Sequence, residues 1–531
     1  LAPSISHATH TTGLEPHGPR VLWSSLALGI IATLVSLTGS WIPSLWGDEA
    51  TSIMSAQRSL PSLFMMLGNV DAVHGTYYFL LHFWVQLFGT SAFSVRLPSA
   101  FAVGITTLAV VLIADRLGGP RFAIVAGVLF TVLPRTTYMG AEARSYAFSA
   151  ALVAWLSLLL IELIRTGGRP RALWVAYCAV LAVGIYFFLY VALFVLVHGI
   201  VLISDRGRRR LMRRWAVAAV VALTAAAPVA VFAYRERAQV AYLGENNETS
   251  ISTLVQQLWF GDRLSAAIGW GLIGFALLSG IIAFAKRALT FGRVGRVPTR
   301  GDRDVLGDAP SSTRLPSAVW LGTLWLFVPA GVLVGAIPIF AGFTARYLSD
   351  GAPAAALLMA SGLMWCLNLV PELRIRAVLT GVVTFAIVAG MVPSYLAQRG
   401  PYSQNESDWA ELSDTLQDNA ERGDAVVFDE SQRPSRDPRL AMHAYPDGFA
   451  GLDDVTLKTP YYDNTFWRDV AYTVPAAARL GRFDGVHRIW LIEYSSGGET
   501  DDYGMSTLRS LGYAVKATLT THREVVYELV S

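Results

Sequence analysis

Largely apolar runs of about 20 residues recur along this chain, and a run of that length is what a helix needs to cross the hydrocarbon core of a bilayer. They fall at 21–42, 96–116, 121–139, 146–165, 171–187, 188–204, 214–233, 266–285, 316–337, 352–370 and 376–395. With 53% hydrophobic and only 15% charged residues over 531 positions, the chain reads as a polytopic helical membrane protein. The first run lacks a small-residue cleavage site behind it and is read as a retained helix.

The net charge of +3 says little, but its placement orients the bundle. Arg116 and Arg121, then Arg165, Arg169 and Arg171, then Arg206, Arg208, Arg209, Arg210, Arg213 and Arg214 fall in alternate connections. Lys286, Arg287, Arg293 and Arg296 follow, and finally Arg374 and Arg376. Basic connections belong on the cytoplasmic side, which puts the N-terminus there. The aromatic segment Tyr77–Trp84 would break this alternation as a span, so it is expected to lie in the membrane interface.

The other side then receives 43–95, the 139–145 turn, 234–265, 338–351 and everything after about 396. Residues 43–95 are long enough for two or three interfacial helices. The 234–265 connection, with an amphipathic end at Leu254–Phe260, has the length of a lid. Beyond residue 400 the composition turns soluble. A helix over Trp409–Asn419, strands over Ala425–Phe428 and Arg488–Ile492, a helix over Met505–Leu511 and a strand pair over Ala514–Val530 suggest a small α/β unit. The expected organisation is a disordered 1–20, a transmembrane catalytic domain over 21–395, and an extracytoplasmic α/β domain over 396–531.

Several classes of chemistry find no support in the sequence. Cys178 and Cys366 lie inside apolar runs, which argues against disulfides and cysteine metal sites. There is no Gly-rich phosphate loop before a lysine, no HExxH pair, and nothing that points to nucleic acid. The triplets Asn247-Glu248-Thr249 and Asn405-Glu406-Ser407 match a glycosylation acceptor pattern that also arises by chance.

The polar residues that remain cluster at the mouths of apolar runs on one side. Asp48 and Glu49 follow the first run in Leu45-Trp46-Gly47-Asp48-Glu49-Ala50-Thr51. Neighbours on a helix point about 100° apart, so one of the two is expected to face a given site. Acidic residues also favour a first helical turn for the dipole alone. Glu142, in a short outer turn, either pairs locally with Arg144 or faces Asp48 to orient an acceptor or share a cation. His74 precedes the aromatic segment, where helix amides and an imidazole together could hold a phosphate. Arg346 and Tyr347 open an outer span end; an arginine there either binds phosphate through paired N–H donors or anchors the helix. Arg96 allows the same two readings.

The order of these pieces resembles the GT-C glycosyltransferases, in particular the protein O-mannosyltransferase and lipid A aminoarabinose transferase family. The matching stretches are Trp46–Ala50, His74–Leu81, Leu87-Phe88-Gly89 through Ser94–Ala100, Glu142–Tyr146 and Ala345–Leu348. The resemblance implies a sugar on a polyprenyl monophosphate, transferred on the outer side of the membrane. It further implies Asp48 as general base, with Glu49 beside it and Glu142 as the second acidic residue. His74, Tyr77, Arg144, Arg346 and Tyr347 would then serve the donor phosphate and lipid. Gly75-Thr76 departs from the family, where many members have prolines.

A phosphate leaves without being protonated, so such a site needs one carboxylate to deprotonate the acceptor and cations for the departing charge. No cofactor is implied, and a divalent cation stays open. The donor lipid is expected in a groove between the interfacial helix and the spans near 316–370. Mannose is the expected sugar and arabinose or another pentose the alternative. The acceptor would be an envelope glycan, a lipoglycan or a protein hydroxyl. A transporter or flippase for lipid-linked sugars would instead show charges near the bilayer midplane and inverted repeats. A structural envelope component would use the aromatic residues of 400–531 to bind glycan.

Overall fold

The computed structural model describes residues 17–239, 250–293, 315–337, 343–495 and 500–531. Most of the expected disordered 1–20 and the triplet at 247–249 lie outside the described residues. Residues 19 and 20, expected within that disorder, already belong to the first helix.

Apolar runs become helices wherever nothing interrupts them: α1 (Pro19–Leu37), α5 (Ala92–Gly118), α8 (Tyr146–Arg165), α9 (Arg171–Phe187), α13 (Arg263–Arg293), α14 (Ala318–Ala336), α15 (Ala352–Leu367) and α16 (Leu373–Ala397). Among the described residues seven helical stretches are long and apolar enough to cross a membrane, and an eighth if α11 (Met212–Ala225) and α12 (Ala227–Arg235) count as one bent span. The bend there is 49°. Pro228 removes a backbone donor and causes it. Shorter apolar helices occupy Pro120–Val132, Arg171–Phe187 and Leu189–Ile203. The chain is a multi-pass membrane protein.

Proline also divides the expected span 121–139. Leu133, ahead of Pro134, takes φ −55° and ψ 131°, outside the helical region. The run therefore splits into α6 (Pro120–Val132) and α7 (Pro134–Met139). The 171–204 run breaks after Phe187, with a 3-10 turn at Leu189–Leu193 before α10 (Phe194–Ile203).

The long connection after α1 folds into three helices, α2 (Gly47–Gln57), α3 (Leu60–Leu67) and α4 (Gly75–Phe88), with a 3-10 turn Ala72–His74 ahead of α4. The stretch expected to end the lid-like connection is not loose. Leu258, Trp259 and Phe260 are buried, and Trp259 donates its indole N–H to the Leu348 carbonyl at 2.9 Å. Apolar side chains of that size gain more from the bundle core than from a mobile loop.

After α16 come α17 (Trp409–Asn419), α18 (Leu440–Ala444), α19 (Val474–Arg479) and α20 (Met505–Ser510). They flank a five-stranded sheet in the order β2-β1-β5-β7-β6. Its strands are β1 (Ala425–Phe428), β2 (Asp453–Asp454), β5 (Arg488–Tyr494), β6 (Ala514–Thr520) and β7 (Glu524–Val530), while β3 (Leu457–Thr459) pairs with β4 (Val470–Ala471). β1 runs parallel to β2 and β5, and β7 is antiparallel to both β5 and β6.

This unit sits on the connection that carries α2 and α3. Leu45 N–H donates to Tyr445 Oη at 2.8 Å, and Ser407 Oγ donates to the Leu45 carbonyl at 2.7 Å. Arg58, fully buried, donates to the Asn464 carbonyl at 2.9 Å and to that of Phe466. Gly47 opens α2 against this unit: a Cβ there would lie 2.2 Å from the Ser435 carbonyl oxygen. Only glycine admits that approach.

Candidate active site

α2 begins immediately after the extended Trp46 and carries both acids in its first turn. The helical twist sends them to different surroundings. Glu49 points into the protein, fully buried, against the equally buried Arg96 of α5. Arg96 Nε donates to Oε1 at 2.7 Å and Nη2 to Oε2 at 2.5 Å. The Ala143 N–H also donates to Glu49 Oε1, at 2.8 Å. Arg96 adds bonds to the carbonyls of Ser40, Pro43 and Ser44. Both groups are thus committed to tying α2, the end of α1, α5 and the 139–145 turn together. Of the two expected roles for Arg96, neither fits; it is the core partner of Glu49.

Asp48 faces the other way, with its side chain 22% exposed. Arg346 Nη1 lies 2.8 Å from Asp48 Oδ2 and 3.1 Å from Glu142 Oε1, so one guanidinium nitrogen bridges both carboxylates. Arg346 comes from the 3-10 segment Ala345–Gly351 ahead of α15. Its guanidinium lies 4.7 Å from the Trp46 ring centre and 5.7 Å from that of Tyr146. The charge shared by the two acids is therefore this arginine.

The local Glu142–Arg144 side-chain pair considered from the sequence does not form. Glu142 turns to Arg346, and Arg144 turns toward α2 and α4. Arg144 Nη2 is 3.9 Å from Asp48 Oδ2 and donates to His74 Nε2 at 3.0 Å. Its Nη1 donates to Tyr78 Oη at 3.2 Å and to the Asp48 carbonyl at 3.3 Å. With Nε2 accepting, His74 carries its proton on Nδ1 and is neutral. Burial, reinforced by Arg144, holds the imidazole well below its ordinary range.

The two acids titrate apart. Burial alone would raise Asp48, but Arg144 and Arg346 outweigh it and hold the carboxyl below the usual carboxylate range. Burial raises Glu142, Arg346 only partly opposing it, with Glu49 and Asp48 adding to the rise. The result is an ionised, partly exposed Asp48 beside a buried Glu142. Such a pair of differently tuned carboxylates is common where proton transfer occurs.

Tyr347 packs in an aromatic group with Tyr190, Phe188 and Tyr146, ring centres 5.4, 5.9 and 6.4 Å away. Tyr77 instead lines an apolar groove of about 590 Å³ between α4, α5, α8 and α9, with Leu81, Leu152, Trp155 and Phe187 among its walls. That is not the side expected for the lipid, near 316–370. α4 turns Tyr77 toward α8 and Tyr78 toward Arg144, so the apolar and charged spaces share one helix. Sequence reasoning missed Asp71, Tyr78 and Trp46 as members of the site. Their signal was slight, an acid three residues before His74 and aromatics of the kind that packing alone explains.

Residues 76–232, from α4 into α12, match the family model described as dolichyl-phosphate-mannose-protein mannosyltransferase. That segment includes Tyr77, Tyr78, Arg96, Glu142 and Arg144, and stops short of Asp48 and Arg346. No curated protein matches the chain. Among solved structures, ArnT from Cupriavidus metallidurans bound to undecaprenyl phosphate is similar at 14% identity, over 94% of this chain and 97% of that one, with a TM-score of 0.48. The archaeal oligosaccharyltransferase AglB from Archaeoglobus fulgidus, in complex with an inhibitory peptide and a dolichol-phosphate, is similar at 10% identity, over 88% and 69%, with a TM-score of 0.41. These are loose structural likenesses. Residues 76–232, which carry Tyr77, Tyr78, Glu142 and Arg144 of the charged site, thus resemble the dolichyl-phosphate-mannose-protein mannosyltransferase family.

Proposed function

We propose that the protein transfers a sugar, mannose in the first instance, from a polyprenyl-phosphate donor to a hydroxyl of an envelope glycan, lipoglycan or protein. The reaction runs on the extracytoplasmic face of the plasma membrane. The observation that carries this reading is Arg346 bridging Asp48 and Glu142, with Arg144 as a second cation beside them. The site thus joins one ionised base to two guanidiniums, which is the equipment a phosphate leaving group requires. The apolar groove behind Tyr77 supports a prenyl chain as the donor's tail.

A donor phosphate brought to Arg346 competes with Asp48 for the guanidinium and frees the carboxylate. Asp48 then takes the proton of the acceptor hydroxyl while its oxygen attacks the anomeric carbon. The bond from that carbon to the phosphate oxygen breaks, and polyprenyl phosphate departs with the electron pair. A single displacement of this kind inverts the anomeric centre. The Trp46 and Tyr146 rings lie against the arginine, 4.7 and 5.7 Å from its guanidinium.

Basic residues support the orientation. Arg116 and Arg165 meet Glu162 where α5 and α8 end, and Asp115 meets His17 at the start of α1. That is the opposite end of α5 from Arg96. A cytoplasmic N-terminus and an external unit after residue 396 follow from the positive-inside rule.

The test is incubation of purified protein with radiolabelled polyprenyl-phosphate sugars and envelope extracts. Asp48→Asn is expected to lose about 10²–10⁴-fold in transfer, the usual worth of a positioned general base. A folded Asp48→Asn protein with full transfer activity overturns the assignment.

A further inference from the structure

Three side chains outside the charged centre form a continuous hydrogen-bonded chain into it. Gln239, just beyond α12, donates Nε2–H to Asp71 Oδ1 at 3.0 Å, and its Oε1 accepts from the Asp71 N–H at 3.4 Å. Asp71 Oδ2 accepts from Tyr78 Oη at 3.1 Å. Tyr78 Oη in turn accepts from Arg144 Nη1 at 3.2 Å. Glu236 Oε2 accepts from the Ala72 N–H at 3.0 Å and fixes the same turn from the other side.

Two features set this apart from ordinary capping. Asp71 sits at φ 60°, in the left-handed region that a residue with a Cβ enters at a cost. It persists there because both carboxylate oxygens and the N–H are engaged. Tyr78 is fully buried, and its hydroxyl is used once as donor and once as acceptor. That polarity is set by the neighbours: a guanidinium can only donate and a carboxylate only accept. The sequence thus spends an acid, a buried phenol and a glutamine on holding one arginine.

We infer that Asp71 and Tyr78 are positioning residues for Arg144, latched by Gln239 and Glu236, so the segment after α12 sets where the second cation stands relative to Asp48. This rests on the proposed reading of Asp48 and Arg144 as parts of the transfer site. Residues 71, 236 and 239 lie outside the segment matched by the family model, and Tyr78 and Arg144 within it. The function of the latch is to keep Arg144 off Asp48 Oδ2, at 3.9 Å rather than in contact, so that Arg346 alone pairs closely with the base.

The test is kinetic, on full-length protein in detergent, with Asp48→Asn run in parallel. Tyr78→Phe, which keeps the ring and removes the link, is expected to lower kcat about tenfold while the melting temperature stays close to that of the parent. In an Arg144→Gln background the same Tyr78→Phe change is expected to have less than about a twofold effect, because its partner is gone. Asp71→Asn should also lose activity. Adding Gln239→Glu should restore most of it, since the new amide at position 71 can then donate to the new carboxylate at position 239 while its oxygen still accepts from Tyr78.

A purely structural role predicts the reverse: lowered melting temperature, unchanged kcat, and additive losses with Arg144→Gln. Either full activity of Tyr78→Phe or additivity overturns the inference. If Asp48→Asn is itself fully active, the proposed function fails first; if Asp48→Asn is dead and Tyr78→Phe normal, only the latch fails.

Discussion

The sharpest separation between architecture and chemistry lies between two adjacent residues, and Glu49→Ala exposes it. Wild-type Glu49 and Arg96 are both fully buried, and the guanidinium meets both carboxylate oxygens. Removing one member of a buried pair leaves an unpaired charge and costs about 3–5 kcal/mol. The Ala143 N–H also loses its acceptor, a further cost of about 1–3 kcal/mol. Because the two effects share one oxygen they overlap, and a net loss of about 4–6 kcal/mol is expected. If the connection carrying α2–α4 and the C-terminal unit melt together as 150–250 residues do, each kcal/mol lowers the midpoint by about 2–4 °C. The expected fall is therefore about 10 °C or more, read by thermal denaturation of detergent-solubilised protein.

The double variant Glu49→Leu with Arg96→Met removes both charges. It should melt above the single variant, although the Ser40, Pro43 and Ser44 carbonyls lose a donor. Asp48→Asn should leave the midpoint nearly unchanged. The reasoning is refuted by a Glu49→Ala protein that melts like wild type yet has lost transfer, because Glu49 would then be acting on substrate rather than on Arg96.

Gly47→Ala brings a Cβ against the Ser435 backbone, and neither side can yield cheaply. A loss of about 1–3 kcal/mol and faster proteolysis between α16 and α17 are expected, and an unaltered protein would show that the contact is loose. Leu152→Trp fills the apolar groove and should raise KM several-fold for a long-chain donor while sparing a short-chain analogue; equal effects on both would deny the groove a role in binding the tail. Burial, and then the neighbouring Asp408 carboxylate, holds Glu524 well above the ordinary carboxylate range. The folded state then keeps a proton that the unfolded chain has released. Stability should fall as pH rises from the ordinary glutamate value through the raised one. Glu524→Gln should flatten that dependence, and a wild-type midpoint insensitive to pH across the window speaks against a proton retained on Glu524.

Much of the architecture was legible from end to end of the sequence. The apolar runs and the alternating arginines dictate spans, because a bilayer leaves a polypeptide few ways to satisfy its backbone; the bend at Pro228 emerged only in the structure. Local pattern also placed the helix Trp409–Asn419 and the strand Ala425–Phe428, whose ends agree with the structure. The gathering of Asp48, Glu142, His74, Arg144 and Arg346 at one end of the bundle was expected from their places at the mouths of apolar runs, and all five are linked there.

What the sequence left open was which group meets which. Asp48 and Glu49 are chemically near-equivalent and differ by about 100° of helical rotation; only the arrival of Arg96 from α5 decided that Glu49 is core, while Asp48 faces Arg346. Glu142 had Arg144 two residues away and took Arg346, 204 residues further along the chain, instead. Ion pairs between distant segments depend on where helices cross, and that is set by packing of the whole bundle. The sequence by itself determined that this protein is a membrane-spanning bundle with acids and arginines at one mouth. The tertiary structure alone determined the pairing, since a charge in a buried site chooses its partner by distance and not by position along the chain.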